Sequence, residues 1–207
     1  MLNVIRQKIW LKLHTKSLRL GHLMAEIGNP VVDEKFANLF SRIQSFGCEF
    51  RTYAHPDELN GDMGRYTRIG SRRIILIARP SPLNSISEVL DTIIHESIHM
   101  TGEGDYLARH VLAPIDREDP VYFVEEFITM SATMKIGSMI GIDTLPSPAE
   151  FNSKNYPGYQ NRMRGRFTDL GLRRVDEFID AAVDHMLTGQ MRRLGSVKSL
   201  VDLHSRR

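Results

Sequence analysis

Residues 91–105 read DTIIHESIHMTGEGD, two histidines and a glutamate set inside an apolar run. His95 and His99 are four apart, so on a helix of about 3.6 residues per turn they lie on one face, a turn apart. Two imidazole nitrogens so placed can reach a single ion, and Zn2+ takes such nitrogens at about 2.0–2.1 Å. Glu96 is turned by about 100° from His95 and can stand beside the metal without ligating it. There it can take a proton from a zinc-bound water, whose pKa the metal lowers to about 7. H-E-x-x-H thus draws two ligands and a general base from one helical turn. With 8 histidines and 12 glutamates in 207 residues, a chance match is on the order of 0.02, which favours a metal site over two core histidines.

The flanking sequence supplies a frame for that turn. Ser85 and Glu88 stand at capping-box spacing and predict a helix opening there and running through His99, with Gly102 and Gly104 placed to end it. Upstream, RYTRIGSRRIILIA (65–78) predicts two antiparallel strands around a Gly-Ser turn. The second, IILIA, is apolar enough for the core and is also a candidate for pairing with an extended peptide. Residues 2–27 carry an apolar stripe of Leu2, Ile5, Ile9, Leu13, Leu20, Met24 and Ile27 opposite lysines and arginines, which predicts a helix. GNP (28–30) breaks it, and residues 31–47 predict a second helix with Phe36, Leu39, Phe40 and Ile43 inward. Residues 48–64 are rich in turn formers. Residues 121–141 and 173–189 predict two further helices, the last with Val175, Phe178, Ile179, Ala182 and Leu187 inward. Helices, a hairpin, then helices predict an α+β fold in one domain over 1–207, mostly helical, with a helical extension (1–50), a core (51–142) and a C-terminal helical region (143–207).

A catalytic zinc usually has three protein ligands and one open position. Glu125 and Glu126 lie 26 and 27 residues beyond His99 on the next predicted helix, and adjacent helical residues point about 100° apart, so one of them faces the metal. EFIT, beginning at Glu126, fits the first four positions of the gluzincin pattern E-x-x-[STA]-[DE], which favours Glu126; the fifth position is Met130. Asp105 is the alternative, because the same stretch reads H-E-x-x-H-x-x-G-x-x-D, the metzincin spacing with aspartate as third ligand. Asp91, one turn before His95, is placed to accept its second ring N–H.

Composition narrows the rest. The formal charge of +2 is too small to argue for nucleic acid, although Arg6, Lys8, Lys12, Lys16 and Arg19 make the first 25 residues basic and acid-poor, and NRMRGRF (161–167) is a second basic cluster. A basic amphipathic N-terminus is shared by solvated helices and by organellar presequences. One cysteine, Cys48, excludes an intrachain disulfide and a cysteine-based zinc cluster. No apolar run approaches the ~18–20 residues of a membrane span, and the expected compartment is the cytoplasm.

GRYTRIGSRRIILIA, ISEVLDTIIHESIHMTGEGDYLAR and YFVEEFITMSATMKIGSMIGI together resemble the C-terminal zincin-like metallopeptidase domain of ArdC-type antirestriction proteins. The resemblance covers about residues 50–142 and rests on His95, Glu96, His99, Thr101-Gly102, Leu107, Arg109 and Glu125-Glu126. It implies a zincin-like fold, a Zn2+ site of His95, His99 and a glutamate, Glu96 as base, and a protein or peptide as substrate. It also implies carriage by phages or plasmids. The acid that ends the family's second-helix motif falls on Met130 here, and the family's N-terminal single-stranded-DNA-binding domain has no counterpart in the first 50 residues. An accessory protein that contacts nucleic acid through its basic N-terminal helix, with a structural or vestigial zinc, is the alternative expectation.

Overall fold

The computed structural model describes residues 2–53, 63–79, 85–101, 121–142 and 169–190. They form six helices and one mixed four-stranded sheet, an α+β arrangement. The chain divides into two compact units, residues 1–100 with 137–144 and residues 101–136 with 145–207. No helix among the described residues is long and apolar enough to cross a membrane.

In the first unit, α1 (Leu2–His14) runs directly into β1 (Thr15–Ser17), followed by α2 (Leu20–Ile27), α3 (Pro30–Ser45) and β2 (Cys48–Tyr53). β3 (Gly64–Ile69) and β4 (Arg72–Ala78) form the expected hairpin, with Gly70 in its turn at φ 64°, a left-handed conformation that glycine adopts without strain. The sheet order is β1-β2-β4-β3. β2 and β4 are parallel, Phe50 opposite Ile75, while the other two pairings are antiparallel. The purely antiparallel sheet expected from the sequence is therefore corrected to a mixed one. A strand also lies in CEFRTY (48–53), which reads as turn-rich because only Phe50 and Tyr53 stand out as strand formers.

The continuous helix expected over 2–27 is interrupted as well. Thr15, Lys16 and Ser17 pair with Tyr53, Thr52 and Arg51 across the sheet. Arg51 clamps the junction: Nε donates to Thr15 Oγ1 at 2.5 Å and Nη2 to Thr15 O at 2.9 Å. Thr15 Oγ1 in turn donates to Leu11 O at 2.6 Å, closing the last turn of α1. On α1 itself, Ile5, Ile9 and Leu13 are exposed and Leu11 is buried, against the expected inward stripe. Leu11 packs with Tyr53, Ile69, Ile74, Leu76 and Ala78, and the partly buried Trp10 joins this cluster.

The other face of the sheet meets α3, whose Phe36, Leu39, Phe40 and Ile43 are buried as expected. Phe40 stacks on Phe50 with ring centroids 4.5 Å apart. Asn29 caps this helix by accepting from Val31 N at 3.1 Å and Val32 N at 3.4 Å, with Pro30 in the first turn. This is the physical content of the GNP break. β4 lies between two strands and is buried from Ile74 to Ala78, so each of its isoleucines contributes roughly 1.5–3 kcal/mol by burial. An interior strand has no free edge, which removes IILIA as a peptide-pairing strand.

Charge on the sheet is arranged around Glu49, whose carboxylate bridges Arg51 Nη1 at 2.8 Å and Arg72 Nη2. Burial pushes the Glu49 carboxyl up, but the two guanidinium groups outweigh it and hold the group below the ordinary carboxylate range. A depressed folded-state pKa contributes stability above the unfolded pKa that is lost as pH falls through the folded one. Glu49→Gln is therefore expected to lower the melting temperature at pH 7, and the gap to wild type is expected to narrow as pH falls below the ordinary glutamate range, read from thermal melts of both proteins. Cys48, beside Glu49, is inert by contrast. Burial is the main cause that pushes its thiol up to about 11.

In the second unit lie the part of α5 (Val121–Ile140) up to Ile136, and α6 (Asp169–Thr188). α6 buries Phe178, Ile179 and Ala182 as expected, and Met186 rather than Leu187 completes that face. The side chain of Val175 lies outside the described residues. Lys135 Nζ meets Asp180 Oδ1 at 2.5 Å and joins the two helices. His185 is buried in α6, and burial holds its ring below the usual histidine range.

Candidate metal centre

The histidine helix is α4 (Ile86–Thr101), and its start is the predicted capping box. Ser85 N donates to Glu88 Oε2 at 2.6 Å, and Glu88 N donates back to Ser85 Oγ at 3.2 Å. From Asp91 to Met100 every residue is buried except Thr92, His95 and His99. Those three are spaced i, i+3, i+7, a single stripe along the helix. The histidines therefore do not interrupt a buried face. They occupy the one stripe of a nearly all-buried helix that is left open, and the near-continuous apolar run around them is what lines the other sides.

Within that stripe the two rings converge. His95 Nε2 and His99 Nε2 are 3.0 Å apart, with ring centroids 4.7 Å apart and planes at 75°. Two lone pairs or two N–H groups do not face each other at that distance, so a proton or a cation belongs between them. Two nitrogens on one tetrahedral zinc at about 2.0–2.1 Å stand about 3.3 Å apart, close to the separation found. The pair fits the ion through its Nε2 atoms.

Glu96, 9% exposed, leaves the helix on the adjoining side. Its Oε2 accepts from Tyr66 N of β3 at 2.6 Å. The sheet explains why that N–H is available. Ala78 N donates to Met63 O at 2.8 Å, so the narrow hydrogen-bonded pairs of the β3–β4 ladder fall on 63, 65, 67 and 69. The N–H groups of 64, 66 and 68 consequently point away from β4, off the edge of the sheet. Glu96 is thus fixed by a strand edge, independently of the histidines.

Close approach of β3 to α4 makes this contact possible. A Cβ built on Gly64 would stand 2.3 Å from Thr92 Cγ2, 3.1 Å from Glu96 Cγ and 3.1 Å from Leu76 O. Only glycine lets the strand pass over the helix here. Nothing in the sequence pattern singles out Gly64, since it precedes a strand where a turn glycine is unremarked.

Asp91 is buried, and its Oδ1 lies 3.5 Å from the Cβ position of Gly137 in the last turn of α5. The bond expected from His95 Nδ1 to Asp91 is not formed, since Nδ1 is buried with no hydrogen-bond partner. Glu125 and Glu126 lie on α5 as the sequence predicts, with their side chains outside the described residues, and Asp105 lies outside them altogether. Among the described residues no third His, Cys, Asp or Glu joins the pair in a ligand group. Among the remaining histidines, His185 is a core residue, and His55 and His204 fall outside the described set.

No protein-family description matches this chain. No curated protein and no solved structure matches it either.

Proposed function

We propose that the histidine pair of α4 belongs to the zinc site of a metal-dependent hydrolase. The observation that carries this reading is the convergence of His95 Nε2 and His99 Nε2 to 3.0 Å on the single open stripe of α4, with the buried Glu96 held beside them by Tyr66 N. His95 and His99 would hold the ion, and Glu126 is the proposed third ligand, ahead of Glu125 and Asp105. Zinc bound there supplies Lewis acidity, lowering the pKa of water to about 7 and polarising a substrate carbonyl. Glu96 takes the proton from the attacking water and delivers it to the leaving amine, as a carboxylate in a fixed orientation can.

Among hydrolases, the particular reading is a peptidase of the gluzincin type. Among the described residues β3 is an edge strand beside the same helix, and the N–H groups of residues 64 and 68 point off it, that of Tyr66 being taken by Glu96. An extended peptide is the substrate that pairs with such an edge through its main chain. Removing the metal tests both steps. Cleavage of an unstructured protein such as casein is expected to disappear after treatment with 1,10-phenanthroline and to return on adding zinc. Cleavage that survives the chelator would exclude the reading.

A further inference from the structure

Helix α1 carries a second apolar face that the sheet does not use. Ile5, Ile9 and Leu13 are 49%, 54% and 73% exposed, and they are three of the five large apolar side chains left exposed among the described residues. Spaced four apart, they turn by about 40° at each step and form one stripe about 80° wide and about 12 Å long. Leu11, which α1 buries against the sheet, lies about 160° from the middle of that stripe. The stripe therefore faces away from the sheet.

Cations border it on both sides. On the same helical projection Lys12 and Lys8 fall about 20° and 60° before Ile5, and Arg6 falls about 20° beyond Leu13. All three are exposed, and among the described residues none of them takes part in an ion pair. The first 25 residues of the sequence hold no Asp or Glu. We propose that α1 docks this protein on a membrane surface of anionic lipid headgroups.

Stripe and charge together choose the occupant. The phosphates of a nucleic acid would meet the lysines, but they offer Ile5, Ile9 and Leu13 nothing to be buried in, and aliphatic side chains give bases no ring to stack on. A second copy of the helix would cover the stripe, but it would bring Arg6, Lys8 and Lys12 up against their own kind. A lipid surface satisfies both features. The stripe enters the acyl boundary, while the long lysine and arginine side chains reach back to the negative headgroups. With 13 residues α1 is about 20 Å long, short of the ~30 Å hydrocarbon core, so it lies in the surface and does not cross it. The helix is also held ready in place. Thr15 Oγ1 closes its last turn on Leu11 O, and Arg51 pins that turn to the sheet, so docking has little left to order. This inference is independent of the metal reading.

Sedimentation of the full chain with phosphatidylcholine vesicles containing about 30% phosphatidylglycerol, at about 0.1 M NaCl, is the test. Binding is expected to these vesicles and not to vesicles of phosphatidylcholine alone. Ile9→Gln/Leu13→Gln and Lys8→Ala/Lys12→Ala are each expected to weaken it at least about tenfold. The circular dichroism spectrum is expected to stay unchanged in both, since all four positions are exposed. Val31→Gln/Arg68→Ala removes an exposed apolar side chain and an exposed cation from α3 and β3, and is expected to bind within about twofold of wild type. No binding to the anionic vesicles, or binding that Ile9→Gln/Leu13→Gln leaves intact, would overturn the proposal. So would a dimer that Ile9→Gln/Leu13→Gln dissolves, or tight binding of a single-stranded oligonucleotide, found without vesicle binding.

Discussion

Glu96→Gln is expected to lower peptide hydrolysis by about 10²- to 10⁴-fold while the zinc content stays at the wild-type level. The amide is isosteric, and its oxygen can still accept from Tyr66 N, which now reaches Glu96 Oε2 at 2.6 Å. The side chain therefore keeps its place and its bulk, and loses only the ability to hold a proton. The histidines are untouched, so metal retention separates this variant from a folding defect. Activity retained within a few-fold of wild type would remove Glu96 from the proton-transfer role, and zinc lost together with activity would make it a structural support of the site.

Gly64→Ala is expected to destabilise the protein by overpacking the place where β3 passes α4. The new methyl would meet Thr92 Cγ2 at 2.3 Å and Leu76 O at 3.1 Å. The first contact is with a side chain of α4 and the second with the backbone of β4, so β3 is squeezed between the helix and its neighbouring strand and must shift. Overpacking of this kind costs about 1–3 kcal/mol. Thr92→Ser deletes Cγ2 and keeps the hydroxyl that donates to Glu88 O at 2.7 Å. The double variant is expected to recover part of the lost melting temperature. Because Glu96 Cγ is also 3.1 Å from the new methyl, activity in Gly64→Ala is expected to fall even at temperatures where the protein is folded. A melting temperature unchanged in the single variant would show that β3 does not approach α4 as closely as described.

The histidine helix was legible from the sequence because its signals are local. Ser85 and Glu88 cap it within one turn, and the spacing of His95 and His99 needs only the helical period. α3 was legible for the same reason, with Asn29 and Pro30 marking its start. β1 and β2 were not, because each is defined by a partner distant in the chain. Thr15 is held by Arg51, 36 residues further on, and three residues of strand carry no periodic pattern of their own. The exposure of Ile5, Ile9 and Leu13 has the same origin, since β1 fixes which side of α1 meets the sheet. Nor does the pattern reveal that Thr92, His95 and His99 form an open stripe: a helix buried on nearly every side reads as apolar throughout. The role of Gly64 depends on how closely two elements pass, which no single stretch of sequence contains.

α4 is proposed to hold a catalytic metal. Zinc per chain, measured by elemental analysis on wild type and on His99→Ala purified side by side in zinc-supplemented buffer, tests it most directly. About one zinc in the wild type and almost none in the variant is the expected result. A wild type that binds no zinc, or a variant that binds as much as the wild type, would contradict it.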